Sequence, residues 1–416
     1  IEQARTHGGV SAGVTQRRVC VKIRTLMSAP YTRSAKGRFN IGCGEGGGSS
    51  GDGGSSSSSS SSSRRRNWCA SFAVLVSRAR LLMWLVWDTI VALLRPLASL
   101  VGAGPGSRKI TLDNGTRVRY NATPIAEGAF SFVYRARNAT TGEHYALKKI
   151  LCQIDEQREL ALAEMQAHRE FSHPNLMPLR DWALVGVPQG EAAFLLFPFM
   201  DRSLRDVIDT RILGGGPPLG EAEALVIFAG VCRGVETLHK HTPPWAHRDI
   251  KPENVMVNRD GTPVLMDFGS VAAAEHLIRN RTEALAAQDE AAVHSTLPFR
   301  APELFDVASD ARLDQRTDVW SLGCLLYALR YGFSPFECEF GGGLGVRVVE
   351  CSFLRVIGTV TFPQPSSNGG KQRGQTVSKG YQDLVMFALQ QDPSKRPFVG
   401  EVLERALALA GVEVRV

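Results

Sequence analysis

The chain has 416 residues, of which 44% are hydrophobic and 21% charged. That balance suits a soluble globular protein and excludes a fully disordered, collagen-like or polytopic membrane chain. The net charge of +7 is unevenly spread: residues 1–109 hold 16 Lys/Arg against 4 Asp/Glu (+12), and the other 32 Lys/Arg against 37 Asp/Glu give −5. A basic tail therefore precedes a mildly acidic body. Eight cysteines are scattered with no Cys-x-x-Cys pair, which argues against a zinc ribbon or a redox dithiol. Cys152, Cys232 and Cys324 lie in apolar runs as small buried hydrophobes, in keeping with a reducing compartment.

Residues 1–67 show no sustained apolar periodicity, carry nine consecutive serines (Ser55 to Ser63) and end on Arg64, Arg65 and Arg66. Such a segment cannot bury enough surface to offset its chain entropy and is predicted to be disordered. The first residue is Ile1, and Met27 and Met83 are candidate starts. From 68 to 105 the texture changes. Ser77, Arg80, Asp88, Arg95 and Ser99 share one helical stripe, and most of the remaining residues to 100 are apolar. Its uncharged stretches fall far short of the roughly 20 residues that span a bilayer. With Trp68, Trp84 and Trp87 beside basic residues, the expectation is an amphipathic helix in a membrane interface or docked on the body, with Gly102 to Gly106 as a hinge.

Beyond residue 110, short β-type runs come first. Strands are predicted at 117–126, 131–137 and 145–150, a helix at 155–171, and further strands at 178–184 and 191–197. Helices follow at 221–241, 316–331, 346–356, 380–391 and 398–410, with a surface insertion at 364–380. A strand-rich front joined to a helix-rich rear predicts an α+β fold of two lobes.

Four signals occur in a fixed order. Ala126, Glu127, Gly128, Ala129, Phe130, Ser131, Phe132 and Val133 form a low-bulk turn between predicted strands, where backbone N–H groups can approach phosphate oxygens. Lys148, in Ala146-Leu147-Lys148, sits on a predicted buried strand and needs a carboxylate, which Glu164 on the next helix offers. In His247-Arg248-Asp249-Ile250-Lys251-Pro252-Glu253-Asn254, Asp249 supplies a proton acceptor and Asn254 an oxygen ligand, with Lys251 between them to offset phosphate charge. Asp267-Phe268-Gly269 adds a hard carboxylate suited to Mg²⁺ and ends its segment at Ala301-Pro302-Glu303.

Together these motifs match the protein-kinase signature set. The chain is identified over about 113–411 as resembling the serine/threonine class, through Lys251 and Thr296. More narrowly it resembles the Numb-associated kinase family and its myristoylated-and-palmitoylated type, through EGAFSFV (127–133), ALKKILC (146–152), LMDFGS (265–270), FRAPELF (299–305) and RTDVWSLGCLLYAL (316–329).

The resemblance implies a bilobal fold that transfers the ATP γ-phosphoryl group to Ser/Thr hydroxyls of protein substrates. It places Lys148 on the α- and β-phosphates, held by Glu164, and makes Asp249 the acceptor of the substrate proton. Asn254 and Asp267 become the Mg²⁺ ligands. Phe197 is the gatekeeper, Pro198, Phe199 and Met200 form the hinge, and Ala146 and Val133 line the nucleotide site. Glu303 with Arg396, and Asp318 beneath the catalytic loop, become structural anchors. Thr296 is expected against Asp249 and Lys251, and Arg248 is available to a phosphorylated residue of the 267–303 segment, although basal activity without an upstream kinase is expected. Ala126 and Ser131 stand where the family pattern has its first and third glycines, and the added Cβ atoms leave a pseudokinase scaffold with weak ATP binding as the alternative. Cys69 is the candidate for palmitoylation, and family resemblance places the membrane at the Golgi or endosome. No reader motif accompanies the basic tail, so nucleic acid is not an expected partner.

Overall fold

Alternation of apolar and polar side chains builds the front of the molecule. The computed structural model describes residues 106–411 except 129, 189, 214–215, 341–345 and 364–375. The predicted tail at 1–67, the stretch at 68–105 and most of the insertion lie outside these. The main sheet is antiparallel and runs β1 (Arg108–Thr111), β2 (Arg117–Tyr120), β4 (Ser131–Asn138), β5 (His144–Cys152), β7 (Gly190–Pro198) and β6 (Asp181–Val187), with β3 (Ala126–Glu127) paired to β4. Val118, Tyr120, Tyr134, Ala136, Tyr145 and Leu147 turn to one face and pack with Phe194 and Leu196. The opposite face sends Leu195 and Phe197 against Ala161 and Met165 of α1 (Asp155–Glu170). β7 is therefore apolar on both sides, as a central strand requires.

The rear is helical. α3 (Glu221–His239) and α5 (Arg316–Tyr331) are its spine, and every residue from Asp318 to Tyr331 is buried. α7 (Lys379–Ala388) and α8 (Val399–Ala410) close the other side. Each large apolar side chain taken out of water here, Phe228 and Trp320 among them, contributes roughly 1.5–3 kcal/mol. One close approach matters for the site: a Cβ at Gly234 of α3 would lie 2.9 Å from the Asn175 carbonyl oxygen. That carbonyl accepts from Leu265 N at 2.8 Å, and Leu265 O accepts from Met177 N at 2.9 Å. The glycine thus lets α3 support the strand that ends two residues before Asp267.

The α+β, two-lobe expectation holds, with four local corrections. The predicted strand at 117–126 breaks into β2 and β3, because residues 121–125 form no ladder, although Ile125 N donates to Val133 O of β4 at 2.7 Å. The sheet begins at Arg108, before the expected domain start at 113. The predicted helix at 346–356 is instead β9 (Val346–Val348), paired with β8 (Cys338–Phe340), followed by a single turn, α6 (Phe353–Val356). Its Val-rich apolar run fits either period, and pairing with β8 decides it. Two helices were not foreseen: α2 (Leu204–Leu213), and α4 (Arg281–His294) inside the 267–303 segment.

Candidate active site

Lys148 stands on β5 between Val133 of β4 and Leu195 of β7. Its Nζ donates to Glu164 Oε1 at 2.6 Å and to Asp267 Oδ1 at 2.8 Å. Burial works against the ammonium, but the charges of Asp267 and Glu164 outweigh it and raise the Lys148 pKa. The Lys148 charge in turn holds the Asp267 carboxyl well below the usual carboxylate range. Both groups are thus ionised at neutral pH. Asp267 adopts φ 65°, a left-handed conformation uncommon outside glycine, and this sends the next side chain inward.

That side chain is Phe268, which is buried. It lies parallel to the His168 ring at 4.2 Å and meets the His247 ring edge-on at 5.8 Å. His168 Nδ1 faces the Met177 carbonyl oxygen at 3.1 Å, so Nδ1 carries the proton and donates. Burial pushes its pKa down to about 3, which keeps the ring neutral. Since His168 is one turn from Glu164 on α1, this column of rings fixes the helix that carries the Lys148 partner.

The loop of residues 247–254 hangs from Asp318, which has no exposed surface. Its carboxylate accepts from His247 N at 2.7 Å, Arg248 N at 2.8 Å and His239 Nε2 at 2.9 Å. Burial opposes the Asp318 charge, yet the His239 hydrogen bond and the nearby imidazoles keep its pKa below the ordinary value. Asp249 follows. Its Oδ1 accepts from Thr296 Oγ1 at 2.6 Å and Thr296 N at 3.0 Å, and its Oδ2 accepts from Lys251 Nζ at 2.7 Å and Asn254 Nδ2 at 2.9 Å. Lys251 Nζ also donates to Thr296 Oγ1 at 2.6 Å. Asn254 directs its amide nitrogen to Asp249, and its Oδ1 takes no hydrogen bond among the described residues. The Glu303 carboxylate receives a fork of two bonds from Arg396, at 2.7 and 2.9 Å.

The remaining residues expected to line the nucleotide site lie on or beside β3, β4, β5 and β7. Ala126 and Glu127 pair with Val133 and Phe132, and Gly128 N donates to Ser131 O at 2.7 Å, closing the turn. A Cβ at Gly128 would come within 2.8 Å of Ser131 Oγ and would oblige that hydroxyl to turn away. Among the described residues the positive-φ positions other than glycine are Arg248 and Asp267, so Ala126 and Ser131 keep ordinary backbone conformations. Their Cβ atoms therefore impose no left-handed strain. Ala146 faces Phe197 across β5 and β7, and Phe197 is buried beside His168 at 4.8 Å. Pro198 ends β7, and Met200 is partly buried against the same core.

Arg248 already has partners on both sides. Its Nε donates to Ser270 O at 2.5 Å, and its terminal nitrogen pairs with Glu290 Oε1 at 2.5 Å. A carboxylate of α4 thus engages the guanidinium that the sequence leaves available to a phosphorylated residue. The sequence carried a usable signal for α4: Asn280 caps the Glu283 N–H at 3.0 Å, and Asn-x-x-Glu before an alanine-rich run marks a helix start. The Glu290 contact itself had no local signal. His168 was likewise missed.

Comparison with known proteins agrees with this geometry. The model described as "Protein kinase domain" matches residues 121–407. Serine/threonine-protein kinase 16 of Rattus norvegicus is 37% identical over 286 residues, covering 68% of this chain and 88% of that protein. A probable serine/threonine-protein kinase of Dictyostelium discoideum is 31% identical, covering 70% and 94%. Serine/threonine-protein kinase ppk13 of Schizosaccharomyces pombe is 30% identical, covering 68% and 87%.

Proposed function

The chain belongs to the protein kinase family and is an ATP-dependent protein serine/threonine kinase, and we propose how its residues divide the transfer. Lys148, oriented by Glu164, holds the α- and β-phosphates. Met200 offers a backbone N–H and carbonyl to adenine, whereas Pro198 has only its carbonyl. Asp249 receives the substrate hydroxyl in this reading, with Thr296 and Lys251 fixing its two oxygens. As the hydroxyl oxygen bonds to the γ-phosphorus, the bond to the β–γ bridging oxygen breaks, ADP leaves and Asp249 accepts the proton. Lys251 offsets the charge carried by the moving phosphoryl group. The single observation that carries the reading is the convergence of Thr296, Lys251 and Asn254 on the Asp249 carboxylate.

The divalent ion is proposed to be Mg²⁺. The donor chemistry fits: Asn254 Oδ1 and the ionised Asp267 carboxylate are hard oxygens. Among the described residues no group of three or more His, Cys, Asp and Glu could hold a metal, so other ligands would come from phosphate and water. When bound, the ion would neutralise charge on the phosphates. Phosphotransfer to a generic basic protein tests both parts. Activity should require Mg²⁺ and fall by orders of magnitude in Asp267→Asn; full activity of that variant in chelator would refute the assignment.

Membership of the Numb-associated branch is proposed on the motifs at 127–133, 146–152 and 265–270. Peripheral attachment to a cytosol-facing Golgi or endosomal membrane is proposed from the tryptophans and basic residues of 68–100. No helix among the described residues is long and apolar enough to cross a membrane. The 416-residue chain should sediment with anionic vesicles and a chain trimmed to 105–416 should not. Equal sedimentation would remove this claim and leave the kinase assignment intact.

A further inference from the structure

Across the front sheet, Lys109 of β1 is the direct partner of Arg119 of β2, and Arg119 the direct partner of Arg137 of β4. Arg137 in turn partners His144 of β5. Direct partners point their side chains to the same face about 5 Å apart, so three permanent cations stand in a row ending on an imidazole. Arg117 and Arg135, two residues along β2 and β4, share that face by the same alternation. Like charges directly opposite each other disfavour a sheet. Among the described residues no ion pair relieves Lys109, Arg117, Arg119, Arg135 or Arg137. Asp201, whose charge reaches His144, is itself paired with Arg259 at 3.5 Å.

The row borders an open groove of about 550 Å³, lined by Arg119, Arg135, Arg137, Ser107, Asn121 and Asn138. Its cations are exposed and have no part in the transfer chemistry. Arg135 is additionally held over the Phe199 ring at 4.6 Å, which orders one wall. Asn138 Oδ1 is engaged by Thr140 N at 2.8 Å and Thr141 N at 3.1 Å, so its amide hydrogens are left as donors. The groove is therefore a donor-rich cationic pocket of a size that suits a small ligand.

We propose that this groove binds the phosphorylated headgroup of an anionic lipid, giving the kinase domain its own contact with the membrane. The proposal rests on the membrane attachment proposed for 68–100. Two observations favour a lipid over another polyanion. Ser107 lines the groove and follows Leu100 by seven residues, a tether of at most about 25 Å. A helix lying in a leaflet would thus hold the groove within reach of headgroups. The excess of 16 Lys/Arg over 4 Asp/Glu in residues 1–109 also places the basic tail on the chain immediately before the row, with Arg108 and Lys109 its last two cations.

The test is sedimentation of the 416-residue chain with phosphatidylcholine vesicles carrying a phosphoinositide, or phosphatidylserine at equal charge. The wild type should prefer the phosphoinositide. Lys109→Gln/Arg119→Gln/Arg137→Gln should bind those vesicles on the order of 100-fold more weakly, at about a kilocalorie per cation removed. Its ATP turnover should not change and its thermal midpoint should not fall, since the variant removes like charges opposed across the sheet; this separates lost binding from lost folding. Equal binding by variant and wild type, or no preference between the lipids, would overturn the groove while leaving membrane attachment standing. Failure of the wild type to sediment at all would overturn both. A soluble inositol phosphate bound as tightly as the vesicles would overturn the lipid source, and so would a triple variant that loses RNA binding but keeps lipid.

Discussion

Glu290→Gln should slow the unphosphorylated enzyme. In the structure the Arg248 guanidinium is tied on one side to Ser270 O and on the other to Glu290, with side chains 22% and 47% exposed for the ion pair. Burial raises the Glu290 carboxyl pKa, but the Arg248 hydrogen bond and charge hold it below the usual range, so the pair is ionised at neutral pH. Because the carboxylate is half-exposed, solvent screening limits the pair to about 1 kcal/mol. Removing it shifts the balance between ordered and disordered arrangements of the 267–303 segment roughly fivefold. The assay is phosphotransfer to a generic basic protein by phosphatase-treated enzyme. Wild type should retain its activity, and Glu290→Gln should lose about that factor in kcat with the KM for ATP little changed. An unaffected variant would refute the reasoning. So would wild type that loses nearly all activity on phosphatase treatment, because a phosphate rather than Glu290 would then be holding Arg248.

Arg396→Leu should destabilise by up to about 3–5 kcal/mol, since it removes the buried half of the pair and leaves the partly exposed Glu303 carboxylate without its fork of hydrogen bonds; thermal unfolding reads this directly. The His168 pKa is lowered to about 3, so the unfolded chain binds a proton below about 6.5 that the native state refuses. This contribution to stability is complete above pH 6.5 and declines as pH falls toward 3, by about 2 kcal/mol at pH 5. Denaturant titrations of His168→Leu should show a shallower acid slope than wild type, and an unchanged slope would contradict the assignment.

The active centre was largely legible because its parts are local strings whose chemistry is written in side chains. Asp249, Lys251 and Asn254 fall within six residues, and their convergence follows from the loop alone. Lys148 and Glu164 could be joined because a lysine on a buried strand demands a partner and the next helix offers one at the right depth. Thr296 was anticipated from its place before Glu303. What escaped depends on tertiary pairing. Val346–Val348 joins a hairpin with Cys338–Phe340, which no period in the sequence announces. β1 exposes three of its four residues and shows only Ile110 inward, so it carries no alternation to read. Glu290 gains its meaning only when α4 folds back toward Arg248, 42 residues earlier in the chain.

The central claim is that Asp249 takes the proton from a serine or threonine hydroxyl while Lys148 and its neighbours hold ATP. The most direct measurement is single-turnover transfer from labelled ATP, run beside equilibrium ATP binding, for wild type and Asp249→Asn. The account predicts that the variant binds ATP about as tightly as wild type and transfers phosphate to Ser/Thr slower by at least about 100-fold, the share carried by general-base catalysis. Transfer at the wild-type rate by Asp249→Asn would contradict it.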